Sequence, residues 1–159
     1  TQNRGGCHVR GYLIAPEILA HPEAVDPQEL ESKPTWVKAF QDLTAVIDSC
    51  GLCLFTSFAL GADLYNDLIN AATGFTNSVE ELMATGERIW NLERQFNMDA
   101  GLTGADDNLP PRLMKDGANT GPAQGKTSGL AEMLPEYYKI RGWTEDGQLT
   151  ADTKQRLGL

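Results

Sequence analysis

The chain is poor in the residues that most often build metal sites and disulfide frameworks. Its 159 residues include three cysteines, Cys7, Cys50 and Cys53, and two histidines, His8 and His21. Three cysteines cannot form a disulfide scaffold, and two histidines leave little room for a histidine-based metal site. The thiols therefore need another explanation, which is packing, redox chemistry or metal ligation.

The sequence also lacks a long apolar run, a secretory signal and an excess of positive charge. No apolar stretch approaches the roughly 18 residues of a membrane-spanning helix. The net charge of −9 argues against a sequence-independent grip on nucleic acid. The polar, glycine-rich beginning is unlike a signal peptide, so we expect a cytoplasmic location and neither a nucleic-acid nor a membrane partner.

What the sequence does contain is helical periodicity, with 41% hydrophobic residues available for a core. From Lys33 to Ile47 the apolar residues follow the spacing of one helix face. Ser32 can cap this helix, Pro34 suits its first turn, and Gly51 can end it. The apolar positions are Trp36, Val37, Phe40, Leu43 and Ile47.

Four-residue spacing predicts further helices along the chain, and no run alternates with period two. One spans about residues 61–73, with Leu64 and Leu68 on its apolar stripe, and another begins at a capping box, Ser78 with Glu81. The inward residues of that third helix are predicted to be Leu82, Met83, Ile89, Trp90 and Phe96. Two more helices are predicted, over 130–140 and from Thr150 to about residue 157. We expect a mainly α, bundle-like fold with long Gly/Pro-rich loops, including an extended connector at about 101–129.

The segment Asp48-Ser49-Cys50-Gly51-Leu52-Cys53 follows the first of these helices. Its two cysteines form a CxxC pair. A thioredoxin-like pair opens a helix, where the dipole favours the thiolate, whereas this pair closes one. A zinc site would need two more nearby ligands. Burial of both cysteines as small apolar residues is about equally compatible with the pattern.

Two polar residues near these thiols are also candidates for function. Asp48 lies in the last helical turn, where the helix dipole disfavours a carboxylate, so it either accepts hydrogen bonds from distant donors or is a solvated surface residue. His8 follows Gly5-Gly6-Cys7 on flexible backbone and either moves protons or packs against a backbone carbonyl.

Taken together, these segments resemble the tungsten- or molybdenum-dependent aldehyde ferredoxin oxidoreductases, specifically their C-terminal region. The likeness covers nearly the whole chain in order. It includes Asn-Arg-Gly-Gly-Cys-His-Val-Arg-Gly-Tyr at 3–12 and Asp-Ser-Cys-Gly-Leu-Cys-Leu-Phe at 48–55. The other similar segments are 36–43, 68–74, 86–94, 109–113, 136–138 and 141–143.

The resemblance implies that residues 1–159 form the helical C-terminal region of a larger enzyme. This region would close over a tungsten (or molybdenum) bis-pterin with a 4Fe-4S cluster alongside. The implied reaction is oxidation of a small aldehyde to a carboxylic acid, with two electrons passed to ferredoxin. A homo-oligomer is compatible with the same resemblance.

The resemblance also implies roles for individual residues. Asp48 would accept hydrogen bonds from one pterin, and Cys53 would be the fourth thiolate of the cluster. Gly51 would let the backbone approach the cofactor, and Leu52 would pack and bond through its main chain. His8 would lie near the metal and move protons. Cys50 occupies a variable position and receives no ligand role.

Part of the implied site is missing from these 159 residues. The other three cluster cysteines would come from a Cys-x-x-Cys-x-x-x-Cys run, and this sequence has none. A pterin-binding region is likewise expected elsewhere in the enzyme. We therefore expect the chain alone to hold neither cofactor and to be inactive. The alternative from another class is a non-catalytic helical interaction module that retains the fold.

Overall fold

The structure, a computed structural model, describes residues 2–159 and is mainly α, as predicted. Within that range there are seven helices, two 3₁₀ turns and no strand, only isolated bridges at Ala118–Gln124 and Trp143–Leu149. None of the helices there has the length and apolarity needed to cross a bilayer. The helices are α1 (Ile14–Ile18), α2 (Lys33–Ser49), α3 (Ala62–Thr73), α4 (Val79–Asp99), α5 (Pro111–Lys115), α6 (Leu130–Arg141) and α7 (Ala151–Leu157); the 3₁₀ turns span Leu54–Phe58 and Gly104–Asp106.

Most of the predicted helix ends are confirmed. Both halves of the capping box before α4 are present, since the Ser78 N–H donates to Glu81 and the Glu81 N–H donates back to the Ser78 hydroxyl. Thr150 caps α7 through its side chain. Ser32 does not cap α2 in the predicted way, because its N–H and hydroxyl both donate to the carboxylate of Glu29.

Short helices are the elements that periodicity did not predict. Helices α1 and α5 have five residues each, too few to show a repeat of 3.6. Helix α5 and the second 3₁₀ turn fall in the Gly/Pro-rich stretch at 101–129, which is otherwise irregular and runs between α4 and α6. That stretch therefore contains local helical turns as well as extended connections.

Helix α2 lies at the centre of the fold and contacts both hydrophobic clusters. Ala45 belongs to one cluster and Val46 and Ile47 to the other. The first cluster also contains Trp90, Tyr137, Tyr138, Trp143 and Leu149, and the second contains Tyr65 and Leu82. Burial on both sides explains why α2 ties α4 and α6 together.

The crossing of α2 and α4 is close enough to require glycine. A Cβ atom on Gly86 would lie 2.0 Å from the backbone oxygen of Asp42. Such a contact is far inside van der Waals distance, and the atom met is backbone that cannot rotate away. Gly86, in the interior of α4, thus sets the separation of the two helices.

A buried charge network joins α6 to α2 at the same level. Arg141 has no exposed surface and donates from Nη1 to Asp42, whose side chain is also buried. Its Nη2 donates to Gln41 at 2.7 Å and its Nε to the Tyr137 hydroxyl at 3.0 Å. Lys38 adds a second cation, 2.8 Å from the other Asp42 oxygen. Because every member has partners, the network orients α6 without leaving an isolated buried charge.

A second buried ion pair fixes the chain that follows α4. Arg94 donates to both oxygens of Asp107, at 2.9 and 2.7 Å, and its Nε donates to the carbonyl of Gly147. The Tyr138 hydroxyl donates to the same carboxylate. Burial raises the pKa of Asp107, but the hydrogen bonds from Arg94 and Tyr138 lower it by more, so its pKa is below the ordinary value.

Phe96, predicted to face inward, is exposed instead, and so are two residues of the predicted apolar stripe on α3. Phe96 on α4 is 72% exposed, and Leu64 and Leu68 on α3 are 44% and 55% exposed. Their spacing correctly marks apolar stripes on amphipathic helices. Periodicity, however, identifies a stripe and not what covers it, and within residues 2–159 these positions are only partly covered.

Replacing Gly86 by alanine should destabilise the chain, although alanine normally stabilises a helix interior. The added methyl group meets the Asp42 carbonyl, so we expect a loss of about 1–3 kcal/mol in unfolding free energy from overpacking. Chemical denaturation followed by circular dichroism measures the loss. The control is Thr85→Ala, one residue away and exposed, which should change stability by less than about 0.5 kcal/mol. An unchanged Gly86→Ala stability would contradict the close crossing.

The lowered pKa of Asp107 predicts a pH-dependent contribution to stability. A carboxyl whose pKa is lower when folded stabilises the native state above its unfolded pKa and loses that contribution as pH falls through its folded pKa. The stability difference between the native chain and Asp107→Asn should therefore be full at pH 7 and shrink below about pH 4. Thermal unfolding from pH 7 to pH 2.5 tests this, with the exposed Asp67→Asn as control. A difference that stays constant over this range would exclude the mechanism.

Candidate functional site

The predicted site segment forms a complete helix-ending motif after α2. Gly51 has a φ of 68°, its N–H donates to the Asp48 carbonyl at 3.1 Å, and the Leu52 N–H donates to the Ile47 carbonyl at 3.1 Å. This Schellman arrangement satisfies the last carbonyls of the helix and needs a residue that tolerates positive φ. The positive φ of this turn therefore explains why residue 51 is a glycine. Close packing does not, because a Cβ placed there would meet no atom of the described residues within 4 Å.

The turn directs the next residues outward rather than into the core. Leu52 is 40% exposed, and its backbone N–H is already used by Ile47. Cys53 is exposed, has extended backbone with φ −75° and ψ 123°, and precedes the 3₁₀ turn Leu54–Phe58. The Cys53 carbonyl accepts hydrogen bonds from the N–H and hydroxyl of Thr56. The backbone at Cys53 is thus held while its thiol is free.

The two thiols of the CxxC pair are not bonded to each other. Cys50 is the last capping residue of α2, and both Cys50 and Cys53 are free and exposed. Burial as small apolar residues, one of the sequence alternatives, is therefore not what the structure has. The pair also closes a helix, as predicted, so it lacks the thioredoxin-like position at the start of an α-helix.

The loop before α1 is attached to α4 by side chains at its two ends. Asn3 donates to the carbonyl of Trp90 at 2.9 Å and accepts at its own carbonyl from Asn97 at 2.7 Å. Arg10 binds Glu93, one turn of α4 beyond Trp90. Between these ends the loop turns tightly, with the Cys7 N–H donating to the Gly5 carbonyl at 2.8 Å.

Arg10 is the most enclosed charged side chain of this loop. It is 3% exposed, and its Nη1 donates to both oxygens of Glu93 at 2.9 and 2.8 Å. Its guanidinium lies over the ring of Trp90, 4.9 Å from the ring centroid, at a distance that favours cation–π attraction. Its Nε lies 3.2 Å from Oδ2 of Asp48. One side chain thereby links the loop, the end of α2 and the middle of α4.

Asp48, which lies at an unfavourable helix end, has cationic partners in this loop. Arg10 lies 3.2 Å and Arg4 3.7 Å from the same oxygen, Oδ2. The Arg10 contact is an ion pair and not an aligned hydrogen bond. The chain itself thus supplies charges that offset the helix dipole. No residue of the described chain hydrogen-bonds to the second oxygen, Oδ1, and the side chain is 36% exposed.

His8 and Cys7 lie on the outer part of the loop. His8 is exposed, and no hydrogen bond joins it to another residue of 2–159, so it is not packed against a backbone carbonyl. Cys7 is half-buried and accepts a hydrogen bond from Arg4 at 3.5 Å. Burial raises the pKa of the Cys7 thiol, but the backbone N–H groups of Arg10 and Val9 and the charge of Arg4 lower it by more, so the net pKa is below the ordinary value.

The structure brings the histidine loop and the end of α2 together. Arg4 contacts both Cys7 and Asp48, which places the histidine loop beside the end of α2. No group of three or more metal-ligating side chains occurs within residues 2–159. The candidate residues His8, Asp48, Gly51, Leu52 and Cys53 are all exposed, and a cavity of about 320 Å³ is lined by other, mainly apolar residues, among them Trp36, Phe40 and Met83.

Sequence reasoning missed Arg10 and its partner Glu93. The contact spans 83 residues, which a search for local patterns cannot find. One signal was available in the sequence. Because the helix dipole disfavours a carboxylate at a helix C-terminus, Asp48 is expected to pair with a cation, and Arg10 lies in the same short segment as His8.

The fold defines a class of protein before sequence comparison defines a family. The fold matches a solved chain of the active-site complex BamBC of benzoyl coenzyme A reductase in complex with 1,5-dienoyl-CoA. The match has a TM-score of 0.70 and 25% sequence identity and covers 90% of this chain and 21% of that one. The chain thus has the helical fold of part of an oxidoreductase.

Sequence comparison then identifies the family. All residues, 1–159, match the family model described as aldehyde ferredoxin oxidoreductase, domains 2 and 3. The chain is 53% identical to the tungsten-containing aldehyde ferredoxin oxidoreductase of Pyrococcus furiosus and 50% identical to that of Thermococcus kodakarensis. Each match covers 100% of this chain and 27% of the relative. The chain belongs to the aldehyde ferredoxin oxidoreductase family and spans about a quarter of the length of these relatives.

The lowered pKa of Cys7 predicts that its alkylation by iodoacetamide will proceed at lower pH than that of an ordinary thiol, which has a pKa of about 8.5. Mass spectrometry of the modified peptides gives the rate at Cys7 against pH. Arg4→Gln should move the Cys7 profile to higher pH, because it removes a stabilising charge. A profile that Arg4→Gln leaves in place would contradict the assignment.

Proposed function

We propose that this chain is the C-terminal, cofactor-closing part of an aldehyde:ferredoxin oxidoreductase. The observation that supports the proposal is the exposed turn at Asp48–Cys53, which presents a carboxylate and a free thiol on a rigid helix end in a member of this family. The reaction converts an aldehyde and water into a carboxylic acid with release of two protons and two electrons. Bound tungsten bis-pterin would supply the two-electron chemistry, and a 4Fe-4S cluster would carry the electrons to ferredoxin.

Cys53 is the residue that fits a cluster. A ligand thiol must be free of disulfide bonds and reachable, and Cys53 meets both conditions on a backbone held by Thr56. A four-iron cluster needs four thiolates, whereas no group of three or more side chains that could hold a metal ion lies within residues 2–159. Cys53 therefore contributes one ligand, and a three-cysteine region elsewhere in the same enzyme contributes the others. Cys50, equally exposed, ends the helix and ligates nothing.

Asp48 fits the role of pterin anchor because its two oxygens differ. Oδ2 faces Arg10 and Arg4, while Oδ1 has no hydrogen bond within the described residues. A carboxylate held on one side and open on the other is a directed acceptor for the N–H groups of a pterin ring. Gly51 and Leu52 follow it: Gly51 has no side chain to stand between the turn and an approaching ring, and the 40% exposed side chain of Leu52 is available to pack against that ring.

His8 is suited to moving protons at the reacting aldehyde. Its imidazole is exposed, and Gly5 and Gly6 give the backbone before it conformational freedom. Arg10, in the same segment, attaches that segment to α4 through Glu93. An imidazole can accept and donate a proton near neutral pH, and aldehyde oxidation releases two. The loop is thus anchored at Arg10 while its histidine stays free.

The remaining partners belong to the proposed whole enzyme. A pterin-binding region of the same polypeptide would cover the open face from the other side. Ferredoxin would accept electrons, a small aldehyde would be the substrate, and the reaction would take place in the cytoplasm. Assembly into a homo-oligomer is compatible with this arrangement.

The test separates the two thiols in the enzyme that contains this chain. Cys53→Ser should remove the cluster, giving less than one-quarter of the wild-type iron content. Cys50→Ser, a matched change three residues away, should retain iron. Iron analysis and the electron paramagnetic resonance of the reduced cluster measure both.

Two outcomes would count against this proposal. Full iron together with an unchanged electron paramagnetic resonance signal in Cys53→Ser would exclude the ligand role. Stoichiometric iron or tungsten bound to the isolated 159-residue chain would show that the chain forms a complete metal site without the rest of the enzyme.

A further inference from the structure

We infer that Arg10 is a positioning residue that holds Asp48 for cofactor binding. This inference rests on the proposed function, because it gives Arg10 its purpose through the pterin contact of Asp48. It adds Arg10 to the site and explains why the loop that carries His8 is attached to α2 and α4.

The side chain of Arg10 is itself held in place. Its side chain is 3% exposed, Glu93 accepts two hydrogen bonds from its Nη1, and the ring of Trp90 lies beneath its guanidinium at 4.9 Å. Trp90 has no exposed surface, and both partners lie on α4. A guanidinium with contacts on its face and its edge has little freedom to move.

The guanidinium of Arg10, held in this way, lies beside only one of the two carboxylate oxygens of Asp48. Arg10 Nε lies 3.2 Å from Oδ2, and the Nε is buried with no hydrogen bond to any residue within 2–159. Attraction for Oδ2 limits the rotation of the carboxylate and leaves Oδ1 as the outward acceptor. Arg4 approaches the same oxygen at 3.7 Å but is half-exposed, so solvent screens its attraction.

Without Arg10, the carboxylate of Asp48 would lose the partner that orients it. Asp48 lies on the last turn of α2, where the carbonyl dipoles repel its charge. With only Arg4 as partner, the carboxylate would turn toward solvent and sample several rotamers. Ligand binding would then have to restrict it again, at a cost in side-chain entropy. Arg10 therefore acts by preorganisation and not by touching the cofactor.

The experiment measures pterin release from the purified enzyme containing this chain, using the fluorescence of the oxidised pterin. Arg10→Gln and Asp48→Asn should each release pterin about tenfold faster than wild type, the usual scale for losing an orienting partner. The double variant should be no faster than the faster single variant, because Arg10 acts through Asp48. Arg10→Lys should fall between wild type and Arg10→Gln, since one ammonium cannot satisfy both Glu93 and Asp48.

A matched control separates positioning from general stability. Arg94→Gln removes a similar buried arginine from α4, one that also pairs with a carboxylate and lies over a tryptophan, Trp143 at 4.6 Å. It should lower the unfolding temperature at least as much as Arg10→Gln while changing pterin release by less than about twofold. Arg4→Gln should have an effect much smaller than that of Arg10→Gln.

The outcomes distinguish the inference from the function it rests on. Wild-type release in Arg10→Gln, or multiplied effects in the double variant, would overturn the positioning role while Asp48 remains the anchor. If Arg94→Gln accelerated pterin release as much as Arg10→Gln does, lower overall stability would explain both results. That outcome would also overturn the positioning role of Arg10. Wild-type release in Asp48→Asn would instead refute the proposed role of Asp48, and the inference with it.

Discussion

The close crossing of α2 and α4 is the contact on which the rest of the structure depends. It exists because Gly86 has no side chain where the Asp42 carbonyl passes, and a Cβ there would lie 2.0 Å from that oxygen. The same part of α2 holds the Asp42 carboxylate that pairs with Arg141 of α6. Gly86 thus joins α4 to α2 at the residue, Asp42, through which a buried charge network joins α6 to α2, and each charge of that network has a partner.

The site inherits its geometry from that crossing. Helix α2 ends at Asp48 and α4 carries Glu93 and Trp90, so their separation determines whether Arg10 can reach all three residues. The loop before α1 is held by this contact, and the thiol of Cys53 follows α2 after a single glycine turn. A carboxylate, a thiol and a histidine loop are therefore presented by a rigid helix pair and not by a cavity.

Sequence predicted the long helices and only part of the site. Spacing and capping residues suffice for α2 and α4, because they are local signals, as the Ser78–Glu81 box shows. Arg10 escaped prediction because its partners lie 38 and 83 positions away. The exposure of Phe96 also escaped, since an apolar stripe on a helix carries no information about what covers it. The roles of His8, Asp48 and Cys53 remain predictions that rest on family resemblance and exposure.

In the proposed enzyme this chain supplies half of a cofactor site, with Asp48 toward the pterin and Cys53 toward iron. The most direct measurement is a crystal structure of the complete enzyme, with anomalous diffraction recorded at the iron edge. This arrangement requires cluster iron bonded to the sulfur of Cys53, none at Cys50, and pterin nitrogen within hydrogen-bond distance of Oδ1 of Asp48, with Arg10 still on Oδ2. Iron at Cys50, or an Asp48 carboxylate without pterin contact, would contradict it.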